Sequence, residues 1–427
     1  MIDYTLHTLD NGLRIAWHYD PSSSHVVLNT LYNVGARDEE PSLTGMAHLF
    51  EHLMFGGSSD VPDFDAAVEG AGGTDNAWTS NDFTNFYTVV TTPNAETAFW
   101  VESDRMLSLL FSPESLEVQR KVVIEEFRQT HLNRPYGDFG HRLRELLYEV
   151  HPYRYPTIGK EIEHIERVTM DDVKKFFFSH YAPNNAVVAV AGPISEELTL
   201  RLAEKYYATI PSRPIAPRNY GAEPAISTPR RKEIRTDVPH TRICIAMHMA
   251  PASDPDYRVA DIITDILASG KSARFNRELV LGTDIFTGAD AMISGSEDPG
   301  FIMFMGSLRS DTDEAIAGAE QLIRGQLRRL CDEEVTPEEL ERALNRFESK
   351  LTFSRIDCRA KASDLARAIM TGRDINKEIE LYRDISPDRR AARGPRPFPP
   401  RPLSDPHLPS PLIHRYRLPT TVNFAFP

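Results

Sequence analysis

Ser42-Leu-Thr-Gly-Met-Ala-His48-Leu-Phe-Glu51-His52-Leu-Met-Phe-Gly56-Gly57 reads as one short helix with chemistry on one face. Ser42 or Thr44 is the expected N-cap, residues 42–54 the helical span, and Gly56-Gly57 the stop. Residues four apart share a helical face, so His48 and His52 can reach a single metal ion. Neutral imidazoles are good zinc ligands, and two preorganised on one helix lower the entropic cost of building a site. Glu51 is next to His52 and three residues from His48, so its carboxylate can lie beside the metal without ligating it. There it can take a proton from a water whose pKa the metal depresses. Ala47, Leu49, Phe50, Leu53, Met54 and Phe55 surround the polar trio with apolar bulk, which suits a supported site better than a solvated helix face.

Around this helix the first 210 or so residues alternate between strand and helix patterns. Asn11-Gly12 separates two alternating segments, 4–9 and 13–19, as a hairpin turn does. Strands are expected at 26–34, 83–91 and 186–191, and helices at 62–68, 95–110, from Pro113 past Glu126, and 169–178. Pro211, Pro214, Pro217, Pro224 and Pro229 then mark a linker. Beyond it the pattern repeats. A strand at 244–249 matches 26–34, a helix at 257–267 matches the His48 helix, and Thr336-Pro-Glu-Glu-Leu-Glu341 mirrors Ser112-Pro-Glu-Ser-Leu-Glu117.

The expected fold class is therefore α+β. Two homologous α/β-layered domains, each an antiparallel-rich sheet packed by helices, arise by internal duplication with a degenerate second copy. The expected boundaries are 1–212 for the first domain, 213–231 for the linker, 232–387 for the second domain and 388–427 for a tail. That tail is rich in Pro and Arg and reads as irregular, either a frameshift near Asp388 or a native extension.

Composition narrows the function classes. Net charge is −14, which argues against a sequence-independent nucleic-acid binder. The longest apolar strand-like run, 186–192, is too short to cross a bilayer, and three scattered cysteines build neither a disulfide framework nor a thiolate cluster. The N-terminus has no signal-peptide pattern, so a cytoplasmic location is expected over a periplasmic one.

The segment 45–57 resembles the active-site helix of the pitrilysin/insulinase family of zinc metallopeptidases, which includes the mitochondrial processing peptidases. The likeness extends through Gly72-Gly-Thr-Asp-Asn76-Ala77-Trp-Thr-Ser-Asn-Asp82-Phe-Thr84-Asn-Phe-Tyr87, Val122-Val-Ile-Glu125-Glu126, His151-Pro-Tyr153 and Pro156-Thr-Ile-Gly159. It implies one catalytic Zn2+ per chain, held by His48, His52 and a downstream glutamate, with Glu51 as the catalytic base. Glu125 and Glu126 both stand in the window for the third ligand, and the family pattern assigns it to Glu126. The family also implies that Asn76 and Ala77 lie on a strand that pairs with extended peptide. Family members carry a further glutamate seven residues before the ligand, where this chain has Gln119, an amide that adds no negative charge.

The implied activity is endopeptidase cleavage of oligopeptides or unfolded segments inside a closed chamber. The alternative is a non-catalytic or partner-dependent core subunit of the same fold. Carried through the repeat, the ligand positions fall on Ile262, Asp265, Ile266 and Lys350, which cannot hold a metal. The family's substrate-gripping Arg and Tyr fall on Leu279 and Phe286. Short family members assemble a clamshell from two chains, so the expected partner is a homologous subunit lacking the zinc motif, with a homodimer as the alternative.

Overall fold

Ala186-Val-Val-Ala-Val-Ala-Gly192 is apolar at every position because both of its faces are covered. Ala186, Val188 and Val190 point into one core, while Val187, Ala189 and Ala191 point into another. The computed structural model describes residues 1–295 and 297–385 and builds the first half of the chain around this strand.

In chain order the elements begin with β1 (Thr5–Thr8), β2 (Arg14–Tyr19), β3 (His25–Tyr32), α1 (Met46–Leu53), α2 (Phe64–Gly70), β4 (Thr74–Thr79) and β5 (Thr84–Thr91). Then come α3 (Ala95–Leu107), α4 (Pro113–Phe127), α5 (Phe139–Leu147), α6 (Ile162–Glu166), α7 (Met170–His180), β6 (Ala186–Gly192) and α8 (Glu196–Tyr207). The second half has β7 (Arg242–His248), α9 (Pro255–Ala268), β8 (Phe286–Ser294), β9 (Phe301–Leu308), α10 (Asp313–Asp332), α11 (Pro337–Ser354), α12 (Cys358–Thr371) and α13 (Glu378–Arg383). Residues 213–231 hold neither helix nor strand. The expected Pro/Arg-rich tail, 388–427, lies outside the described residues.

The helix starts follow local chemistry. Ser112 caps α4 by accepting from Ser115 N, with Pro113 in the first turn, where its missing N–H costs nothing. Thr169 and Asp172 form a capping box on α7, and Asp63 caps α2. The start of α1 departs from the expectation, since neither Ser42 nor Thr44 caps it. Its N-cap is Gly45, at φ +90°, and a Cβ there would stand 2.8 Å from the carbonyl oxygen of Ile158.

Two compact units emerge. Among the described residues, the first gathers 1–132, 151–221 and 350–378, and the second gathers 133–150, 222–349 and 379–385. The first unit's sheet has the order β1-β2-β6-β3-β5-β4, antiparallel except for the β2/β6 pair. One face packs on the core that contains Leu49, Phe50, Phe99, Val123 and Phe177. The other face is covered by α12 through Cys358, Ala362, Leu365 and Ala366. Lys361 of α12 pairs with buried Asp20 at 2.6 Å, and Asn376 exchanges two hydrogen bonds with the backbone of Ile2.

Among the described residues, the second unit's sheet has three strands in the order β7-β9-β8, all antiparallel. Its core joins Ile243, Ile245, Ile302 and Phe304 to Ile263, Leu267, Ile316 and Ile323 of α9 and α10. Helix α5, from the first half of the sequence, belongs to this unit, and His248 on β7 bonds the carbonyl of Leu147 at 2.8 Å.

Candidate metal centre and active site

Helix α1 is amphipathic over only two turns. Met46, Ala47, Leu49, Phe50 and Leu53 are buried, and Phe50 packs against Phe176, Phe177 and Tyr181. That fixes the roll of the helix, so the remaining face presents His48, Glu51 and His52, all partly exposed. Helix α4 is seated by Leu116, Val123, Ile124 and Phe127, which turns Glu126 towards the two histidines. Glu125 instead sits at the surface, 3.6 Å from Arg128.

The three side chains converge. Glu126 Oε2 lies 3.7 Å from His48 Nε2 and 3.6 Å from His52 Nε2, and one ligand atom from each residue falls within 4.8 Å of the others. Separations of 3.6–3.7 Å are too long for hydrogen bonds. They are close to the edge of a tetrahedron with bonds of about 2.1 Å, roughly 3.4 Å. Burial pushes the His48 imidazole down to about 4, against the pull of Glu126, so His48 is a neutral donor near pH 7. Contact with the His52 ring holds the Glu126 carboxyl below its usual range despite partial burial. Two imidazoles and a carboxylate are a donor set that fits a zinc ion and leaves a fourth position open. His48 Nδ1 is buried and has no hydrogen-bond partner among the described residues. Gln119 stands two turns before Glu126 on α4.

Glu51 is held separately. Thr79 Oγ1 on β4 donates to Glu51 Oε2. Burial raises the pKa of the Glu51 carboxyl, with the Thr79 hydrogen bond pulling the other way. Thr79 was not singled out from the sequence. Strand alternation places it on the same face as Asp75 and Ala77, but the contact with Glu51 depends on how α1 packs.

Asn76 and Ala77 lie on β4, and among the described residues no strand pairs with the outer edge of β4. Ser80 N donates to Phe83 O, so by alternation Thr74, Asn76 and Trp78 bond β5. The backbone groups of Asp75, Ala77 and Thr79 therefore face the open edge. Ala77 N is held by the Asn76 side-chain oxygen at 2.8 Å. The strand is braced from behind by Arg105, a fully buried guanidinium 3.6 Å from Asp75 and within 4.8 Å of the rings of Phe55, Phe64 and Phe86.

The residues that correspond to His48, His52 and Glu126 in the second half behave differently. Ile262 and Ile266 are buried with Ala343 and Tyr382, and Lys350 is exposed. Leu279 and Phe286 are both core residues of the second unit.

Comparison with known proteins agrees with this architecture. Residues 14–158 match the family described as Insulinase (Peptidase family M16), and residues 167–347 match the one described as Peptidase M16 inactive domain. The chain is 30% identical over 279 residues to a Helicobacter pylori protein named zinc protease PqqE, a match covering 64% of this chain and 63% of that protein. It is 25% identical to the Saccharomyces cerevisiae mitochondrial-processing peptidase subunit beta, over 88% of this chain and 84% of the yeast protein. A Helicobacter pylori protease structure matches with a TM-score of 0.86 at 22% identity, covering 98% of this chain and all of that one. A chain in complex III2 from Candida albicans also shares the fold, with a TM-score of 0.74 at 16% identity over 90% of each chain. With two family domains matched in order over most of its length, the chain belongs to the pitrilysin/insulinase family of peptidases, M16.

Proposed function

We propose that this chain is a zinc-dependent endopeptidase that cleaves oligopeptides or unfolded segments. One observation carries the reading: the His48, His52 and Glu126 cluster stands beside a carboxylate, Glu51, that is tied by Thr79 to an open strand edge. When bound by those three residues, zinc supplies Lewis acidity for the scissile carbonyl and the attacking water. Peptide adds to β4 as a further strand, bonding the outward backbone groups of Asp75, Ala77 and Thr79. Asn76 releases Ala77 N as it does so. Backbone pairing tolerates varied side chains and demands an extended, unfolded segment. Glu51 Oε2 stays occupied by the Thr79 hydroxyl, leaving Oε1 to accept the proton of the attacking water. The raised pKa of Glu51 makes it a better base than a solvated carboxylate and lets it return the proton to the leaving amine.

A second reading, a non-catalytic core subunit, has support from the fold shared with a complex III2 chain. The retained cluster of His48, His52 and Glu126 with Glu51 favours the peptidase, because a structural subunit needs none of them. We also propose a partner, a homologous chain without the zinc motif, since Leu279 and Phe286 are locked in a core and offer no donor to substrate. A homodimer is the alternative. Zinc content and hydrolysis of a quenched fluorescent peptide test the activity in the purified chain. Repeating the assay after mixing with a ligand-less homologue tests the partner. Full turnover by the chain alone, with no gain on mixing, excludes the heterodimer.

A further inference from the structure

The helix that carries the proposed ligands lacks the usual means of holding its own start. Gly45 has no side chain to cap with, yet its positive φ and the missing Cβ are both required. Gly159 passes against it, and a Cβ on Gly159 would stand 2.7 Å from the carbonyl oxygen of Thr44. Thr44 is spent on the same crossing, its hydroxyl accepting from Lys160 N at 2.8 Å and meeting His164 Nδ1 at 2.8 Å. The helix-start donors are met from elsewhere. Glu39 Oε2 accepts from Gly45 N and Glu39 Oε1 from Ala47 N, each at 2.8 Å.

We infer that Glu39 is a positioning residue for the metal site: one carboxylate, from six residues before the N-cap, sets where α1 begins and so where His48, Glu51 and His52 stand. The inference rests on the zinc reading of those ligands. Ala47 is adjacent to His48, so a shift in its backbone is a shift in the first ligand. Core packing fixes the roll of this two-turn helix, but few backbone bonds of its own fix where it starts, because its nucleating turn is half its length. The other capped helices differ. On α2, α4, α7 and α8 the cap is the side chain of the N-cap residue itself, and losing it frays one end without moving a metal ligand. On α1 the cap comes from outside and reaches two donors, so it fixes position as well as satisfying bonds.

Zinc affinity by competition with a chromogenic chelator, and melting of the metal-free protein, separate positioning from plain capping. The set is wild type, Glu39→Ala, Glu39→Gln, Thr169→Ala as a cap loss on α7, and His52→Ala as a ligand loss. Glu39→Ala should weaken zinc binding at least tenfold, within the roughly 10- to 100-fold range for partners that orient ligands. Glu39→Gln, which keeps the size but offers one acceptor, should fall between it and wild type, and serves if Glu39→Ala does not fold. Thr169→Ala should lower the melting temperature of the metal-free protein by a similar amount and leave zinc affinity within twofold. Equal zinc affinity in wild type and both Glu39 variants, with His52→Ala weakened, would overturn the inference alone. Equal affinity in wild type and His52→Ala would overturn the metal reading and the inference with it.

Discussion

Helices α1 and α9 occupy the same place in the two copies, and each is joined to the long helix that follows, α4 or α11. In the second copy the join is apolar. Ile262 and Ile266 are buried against Ala343, with Leu344, Phe347 and Tyr382 closing the cluster, and Arg346 reaches Asp265 at 3.5 Å. In the first copy the equivalent face holds two imidazoles and a carboxylate that come within 3.7 Å without bonding. A hydrophobic contact and a metal site are two ways to tie the same pair of helices. The apolar tie works unaided and needs a long helix with its own cap, which α9 has in Asp254 over fourteen residues. The metal-ready face gives up that contact, and α1 is correspondingly short and held from outside by Glu39. On the proposed reading, the first copy gives up packing that the other copy keeps in exchange for a metal site.

The largest effect should come from separating base from ligand in the first copy. Glu51→Gln should retain zinc and lose hydrolysis by about 10³-fold or more, since the base is removed and the ligands remain. His52→Ala should lose both, as measured by elemental analysis beside the peptide assay. Near-native turnover of Glu51→Gln would break the comparison at its functional end.

The second copy offers the matching cut. Ile266→Ala should destabilise the protein by about 2–5 kcal/mol, read by denaturant melts, with zinc content unchanged. A loss of zinc in that variant would mean that the two ties are not independent.

Helix α12 tests the comparison from another side, because it comes from the second copy and packs on the first sheet. Burial alone would raise the Asp20 carboxyl, but the Lys361 ammonium and the Ser22 donors outweigh it and hold the pKa at about 2. A carboxyl depressed in the folded state stabilises above its ordinary value near 4, and that contribution disappears as pH falls towards about 2. Lys361→Met should therefore cost about 2 kcal/mol at pH 7 and much less at pH 2, measured by thermal melts across that window.

The smallest expected effect sharpens the role of the edge strand. Thr79→Val should lower kcat about tenfold, or about 1.4 kcal/mol, while zinc content stays at wild-type level. An unchanged kcat would leave Glu51 oriented by α1 alone.

What was legible in the sequence was periodic or compact. The strands and helices singled out by pattern end within a few residues of their observed bounds because alternation and the 3.6-residue period are local, whereas α5, α8, β8, β9, α10 and α12 were not singled out. The His48, Glu51 and His52 spacing is likewise one turn of one helix. Glu126 over Glu125 came from family pattern, and the roll of α4 on Val123, Ile124 and Phe127 gives it a physical reason. Glu39 and Thr79 were not legible. Glu39 stands in the run Asp38-Glu39-Glu40, which reads as a solvated charge cluster, and only the crossing of Gly45 and Gly159 makes it a cap. The expected cap at Ser42 or Thr44 failed for the same reason, since tertiary contact had already claimed Thr44.

The exchange of α5 and α12 has a consequence for how the chain is made. The offset that carries Pro113 to Pro337 also carries Phe139–Leu147 into α12, so the two copies trade equivalent helices. The first sheet's outer face, with Ala16, Val27, Leu31, Val187 and Ala189, is covered only when residues 358–375 have been synthesised. On a ribosome adding about 5–20 residues per second, that face waits roughly ten to forty seconds after β6 has emerged. During that interval a nearly complete sheet carries bare valine and leucine, which is the state chaperones bind and aggregation consumes. A fragment ending near residue 212 would stay in it permanently.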